Sequence, residues 1–118
     1  MSRHDDLPYV KHILDSINDI EDSTRNLSKG EFKESKDIRD AVVRRLEVIG
    51  EAAKNISKNL KEAHPEIAWR KIAGTRDVMI HAYFNVDLDI VWEIVKKDMP
   101  ILKNQIFKIQ KELEETIW

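Results

Sequence analysis

Between Ile38 and Leu60 the apolar residues recur every three or four positions, a spacing that gives a helix one inside face and a strand none. With Ile38 at 0° and about 100° per residue, Ala41, Val42, Leu46, Val48, Ile49, Ala52, Ala53, Ile56 and Leu60 share one arc of about 160°. A long helix from about residue 37 to residue 62 is therefore predicted, with that arc as core. Glu47, Glu51, Lys54 and Lys58 fall on the opposite, solvated side. Gly50 in mid-helix costs about 1 kcal/mol relative to alanine, so it marks a close approach of another helix or of a second subunit. Arg45 lies inside the apolar arc and is expected to point into a groove or an interface.

The same spacing recurs on either side. A first helix starts after Asp5-Asp6, tolerates Pro8 in its first turn and carries Val10, Ile13, Leu14, Ile17 and Ile20. It fades near Asn26. Ser28 and Glu31 have the spacing of a capping box that opens a short turn around Phe32. His64-Pro65 ends the long helix, and another starts near Trp69. The stretch Asn85-Val86-Asp87 breaks the chain before a helix with Leu88, Val91, Trp92 and Val95. Pro100 either kinks that helix or begins the last one, whose stripe is Leu102, Ile106, Ile109, Leu113 and Ile117. The expected fold is all-α: one domain over residues 1–118, an up-and-down bundle of four to five main helices with short connections.

Composition removes several classes of function. With no cysteine among 118 residues, no disulfide framework, thiolate metal site or cysteine nucleophile is available, and a reducing, cytoplasmic compartment is expected. No run approaches the roughly 20 apolar residues of a membrane span. The net charge of −2, with both signs mixed along the chain, gives no global field for nucleic acid, so any RNA contact must be local and DNA is not expected. His4, His12, His64 and His81 form no pair at ligand spacing and no Glu-x-x-His occurs, so neither a metal site nor a cofactor is expected.

One segment carries chemistry that a packing helix does not need. RDVMIHAYF, residues 76 to 84, sets Arg76, His81 and Tyr83 in an apolar run. With Ile72 at 0° on a helical wheel, Arg76 falls at about 40° and Tyr83 at about 20°, inside the apolar arc with Met79 and Ile80. Asp77 and His81, four apart, face the other way, where the carboxylate can orient the imidazole and raise its pKa. Arg76 and His81 are about 140° apart, so a second copy of the chain, related by a two-fold axis, is the simplest way to bring both groups into one cleft. Spacing alone favours plain packing: arginine stems bury themselves, and a lone histidine is usually a surface residue.

The sequence resembles a known family at these residues. Arg76-x4-His81-x-Tyr83 matches the Arg-x4-6-His signature of the HEPN superfamily and, more closely, the form found in HepT-like ribonuclease toxins. The similarity extends to RRLEVIGEAAKNIS at 44 to 57 and HPEIAWRKIAGTRDVMIHAYFNVDLDIVWEIV at 64 to 95. The resemblance implies a HEPN-like bundle acting as a metal-independent endoribonuclease, a homodimer whose Arg76 and His81 line the cleft between subunits. His81 would be the general acid/base, Arg76 the phosphate clamp and Asp77 a support. It further implies that Tyr83 accepts AMP groups from a partner antitoxin, a minimal nucleotidyltransferase, within a larger hetero-oligomer. Phosphate added there would repel the RNA backbone. The alternative is a non-catalytic HEPN-type module that binds a nucleotide, RNA or the partner transferase.

The remaining candidates have plainer readings. Glu47 and Glu51 sit beside Arg44, Lys54 and Asn55 on the polar side; they read as solvated, with Glu47 and Arg45 kept as candidate cleft residues. Trp69 and Trp92 can stack bases, although core packing suits them better because Trp92 continues the stripe of Leu88 and Val95. Lys96, Lys97 and Lys103 read as a solvated basic face.

Overall fold

The computed structural model describes the backbone of residues 3–81 and 87–115, and the side chains of residues 5–76 and 87–115. The structure is all-α. A 3-10 turn, Arg3–Asp6, leads into α1 (Leu7–Thr24), followed by a short α2 (Lys29–Glu34), α3 (Lys36–Asn55) and a short α4 (Lys58–Ala63). After these come α5 (Trp69–His81), α6 (Leu88–Glu93) and α7 (Met99–Glu115). No helix among the described residues is long and apolar enough to cross a membrane.

Helix α3 is the centre of the bundle and packs on α1 along one flank and on α5 along the other, while α7 closes against α1. The core follows the predicted stripes: Val10, Ile13, Ile17 and Ile20 from α1 meet Val42, Leu46, Ile49 and Ala53 from α3 and Leu102, Ile106, Ile109 and Leu113 from α7. Val43 is buried as well, whereas Ala41 is exposed. The buried arc of α3 is thus displaced toward Val43 and Gly50, because the helix is covered on two flanks instead of one.

The expected continuous helix from 37 to 62 is divided. Helix α3 stops at Asn55, Ile56 is extended at φ −70° and ψ 140°, and Ser57 caps a new helix by accepting the Leu60 N–H. The cause is tertiary. Asp6 is buried, and its carboxylate accepts the Ser57 backbone N–H at 2.7 Å and the Ser57 hydroxyl at 2.6 Å. These bonds satisfy polar groups that a continuous helix would have used otherwise.

The capping box at Ser28 is present in both of its hydrogen bonds, and Phe32 behind it is fully buried against Trp92. Lys29 and Lys33 both reach Asp89 at 3.1 Å, which ties α2 to α6 and holds the Asp89 carboxyl below its ordinary range, Lys29 first and Lys33 second. Asp87 caps α6 by accepting the N–H groups of Asp89 and Ile90.

Pro100 stands in the first turn of α7, the second of its two expected readings. From Ile94 to Asp98 the helix widens to a π turn, with the Met99 N–H bonded to the Ile94 carbonyl, and α7 continues from it. In a regular α-helix the Pro100 ring would press on the Lys96 carbonyl and leave it without a donor; widening the preceding turn relieves that clash. The lysines nearby are engaged. Lys96 lies 4.7 Å from the Trp92 ring centre and donates to the Thr24 carbonyl, and Lys103 pairs with Glu21. Lys97 pairs with Glu93, which raises its pKa.

Candidate functional site: the Arg76 groove

Gly50 decides where α5 lies. A Cβ at this position would sit 2.7 Å from the Arg76 Cβ, 3.0 Å from the Arg76 nitrogen and 3.2 Å from the Ile72 carbonyl oxygen. Only glycine admits α5 at that distance, which accounts for the helix-breaking residue in mid-α3. The approach expected there is between helices of the same chain, and Arg76 is the residue brought against α3.

From that starting point the Arg76 side chain, one-third exposed, runs over the next residue of α3. Its Nε donates to Glu51 Oε2 at 2.7 Å. Both groups lie in a groove whose floor is the polar side of α3, with Glu47, Glu51 and Asn55. Tyr9 and His12 of α1 form one wall and Arg76 of α5 the other. Asn55 steadies the floor by donating to the Glu51 carbonyl at 2.9 Å. Glu47 is mostly covered, with 20% of its side chain exposed, and pairs with Arg44 at 3.5 Å.

Glu47, a candidate for a cleft between two copies, lines this groove of the single chain. Arg45, the other candidate, stands outside it, paired with Asp19 of α1 at 3.3 Å on an exposed surface. Glu51 is more than half exposed, as expected of the solvated side, and is in addition the ion-pair partner of Arg76. Asp77 and His81 occupy the later turns of α5, but their side chains lie outside the described residues, and Tyr83 lies outside them altogether. Sequence reasoning missed Tyr9, His12, Arg44 and Asn55 as groove residues. The only signal for any of them was Gly50, next to Glu51, which marked that end of α3 as a helix contact.

Trp69 and Trp92 are packing residues. The Trp69 indole donates to the His64 carbonyl at 3.0 Å, and Trp92 lies between Phe32 and Lys96. A second depression, between α3, α5 and α7, is lined by Leu46, Ile49, Ile72, Ile94 and Leu102. Lys71, paired with Asp98 at 3.8 Å, and Thr75 and Gln105 line it as well.

Chemically, the polar groove presents a guanidinium held in a fixed plane beside carboxylates, an amide, a phenol and an imidazole. The molecule is an all-α bundle that displays an arginine in a polar groove, and a planar guanidinium is a group suited to phosphate or carboxylate.

Comparison with known proteins narrows the class. The family described as "Ribonuclease HepT-like" matches residues 13–109, and the chain belongs to that family of HEPN-type proteins. A Thermococcus cleftensis protein named "Probable ribonuclease HepT" is 46% identical over 103 residues, covering 87% of this chain and 94% of that protein. A Methanocaldococcus jannaschii protein named "Gamma-glutamylcyclotransferase and putative RNase" is 47% identical over 107 residues. That match covers 91% of this chain and 48% of that protein, so the chain spans about half the length of this relative. No solved structure matches.

Proposed function

We propose that the chain is a metal-independent endoribonuclease, the toxin of a toxin–antitoxin pair, with Arg76 and His81 in a cleft completed by a second copy. The observation that carries this reading is Arg76, set by Gly50 into a polar groove and oriented through Nε, in a chain of the HepT-like ribonuclease family. The relatives named as ribonucleases add support.

The chemistry is cleavage by the neighbouring 2′-OH. A base takes the 2′-OH proton, the oxygen attacks the adjacent phosphorus, and the bond to the 5′-oxygen breaks as an acid protonates it, leaving a 2′,3′-cyclic phosphate and a 5′-OH. His81 handles the protons near neutral pH, with Asp77 one turn before it as support. Arg76 meets the charge that develops on the phosphoryl oxygens. Tyr83, seven residues beyond Arg76, is the acceptor through which a minimal nucleotidyltransferase adds AMP; the added phosphates compete for Arg76 and repel RNA.

The test is cleavage of several RNA classes in excess EDTA, using protein whose intact mass shows no modification. Wild type is expected to leave 2′,3′-cyclic ends, and His81→Ala is expected to lose cleavage by roughly 100-fold or more. Protein coexpressed with the transferase gains the mass of one or more AMP groups, and Tyr83→Phe does not. Absence of cleavage by wild type on every RNA would leave the binding module as the better account.

A further inference from the structure

A groove meant for a polyanion should not be lined with carboxylates, yet Glu47 and Glu51 stand on its floor one helical turn apart. Like charges at this spacing oppose each other on the helix that carries them. Their compensation comes from arginines: Arg44 on the same helix for Glu47, and Arg76 across the helix interface for Glu51. Glu51 is more than half exposed, so its cost to an approaching phosphate is not hidden by burial.

We propose that Glu51 is a positioning residue for the phosphate-binding arginine, a role that rests on the ribonuclease reading above. The backbone of α5 fixes only the root of the Arg76 side chain, where Gly50 receives it. Beyond the root, a long flexible stem must be held before its planar head can meet a phosphate at a defined angle. The 2.7 Å contact from Nε to Glu51 fixes the plane of that head, and Asn55 fixes the α3 backbone beneath it. The same carboxylate repels the RNA backbone. Glu51 therefore weakens ground-state binding while it orients the group used in the transition state, a division that raises turnover at the expense of affinity.

This separates two variants. In Glu51→Gln the side-chain carbonyl still accepts the Nε–H without a charge, whereas Glu51→Ala removes acceptor and charge together. Binding is read by fluorescence anisotropy with an RNA oligonucleotide carrying 2′-deoxy residues, which cannot be cleaved, across a salt titration. Turnover and KM are read on the ordinary RNA, and thermal unfolding is followed in parallel.

Both variants are expected to bind RNA several-fold more tightly at low salt. Glu51→Gln, which keeps an acceptor for the Nε–H but not the charge, is expected to lose only a few-fold in kcat, and Glu51→Ala roughly ten- to hundredfold through a misplaced guanidinium. Equal kcat and equal affinity in all three proteins, with a change only in melting temperature, would reduce Glu51 to a staple between α3 and α5 and overturn the proposal. If wild type cleaves no RNA, the ribonuclease reading falls by itself. The affinity measurement still decides the role of Glu51, and unchanged binding in both variants refutes it.

Discussion

Gly50→Ala tests the placement of Arg76 without touching a charged group. Alanine is the better helix former by about 1 kcal/mol, so a solvent-facing Gly50 would be improved by the change. Here the new methyl meets the Arg76 Cβ at 2.7 Å and the Arg76 nitrogen at 3.0 Å, and neither belongs to a flexible side-chain end. Helix α5 must move, and overpacking of this kind costs about 1–3 kcal/mol. The net effect is a loss of up to about 2 kcal/mol. For a chain of 118 residues each kcal/mol shifts the midpoint by about 4 °C, so calorimetry should show a melting temperature lower by up to about 8 °C. Gly74→Ala is the internal control. Nothing lies within 4 Å of a Cβ there, on the helix that Gly50 contacts, so the same substitution should raise the midpoint by about 4 °C. RNA turnover at 25 °C should fall in Gly50→Ala and hold in Gly74→Ala. A midpoint that rises equally in both variants would refute the close approach and the account of Arg76 built on it.

Two further perturbations address the frame that holds the groove. Asp6→Ala leaves the Ser57 N–H and hydroxyl without their buried acceptor, a loss of about 1–3 kcal/mol; Ser57→Ala removes the shared hydroxyl contact and also the cap on Leu60, so the double variant should lose more than Asp6→Ala alone but less than the sum of the two. Urea unfolding of the single and double variants measures this, and fully additive losses would show the two residues to be independent. Asp89 has its carboxyl pKa lowered in the folded state by hydrogen bonds from Lys29 and Lys33. A group depressed in this way contributes stability above its unfolded pKa and loses it as pH falls through the folded value. Asp89→Asn should therefore narrow its gap to wild type as pH drops below the ordinary carboxylate range, and the gap should shrink in high salt. A difference in melting temperature that stays constant from pH 7 to acid conditions would count against the Lys29 and Lys33 pairs.

Much of the bundle is legible from periodicity because each long helix buries one stripe. The stripes of α1 and α7, the capping box at Ser28 and the stop at His64-Pro65 are local signals, and local signals survive packing. The break at Ile56 does not announce itself in the same way. Ile56 and Leu60 stay in phase with the stripe of α3 even though the chain leaves the helix between them, so the apolar pattern carries no mark of the interruption. Its cause is Asp6, 51 positions away in sequence. Pro100 marks the start of α7 legibly, since a proline is tolerated in a first turn, whereas the π turn before it leaves no mark in the apolar pattern. At the candidate site, a helical wheel finds Arg76 because it sits among apolar neighbours of its own helix. It cannot find Glu51, since the solvated side of α3 becomes a groove floor only after α1 and α5 have packed beside it.

Arginine within an apolar arc invites two readings, packing and chemistry, and the root and head of this side chain lie in different surroundings. The root of Arg76 is packing: it fills the space that Gly50 leaves, and α5 is located by that contact. The head emerges one-third exposed, paired with a carboxylate, at the wall of a polar groove, where the proposed chemistry would use it. Arg76→Ala removes the head but keeps the Cβ that touches α3, so it reports on the guanidinium with α5 still in place. Gly50→Ala does the reverse, displacing the root while leaving the guanidinium intact, and Glu51→Gln changes only the charge facing the head. If the groove works as a phosphate site, these substitutions must fail differently. Arg76→Ala should lose RNA affinity and turnover at little cost to folding, Gly50→Ala should lose stability first, and Glu51→Gln should gain affinity. A uniform fall in stability alone across the set would mean that the arginine is a packing residue along its whole length.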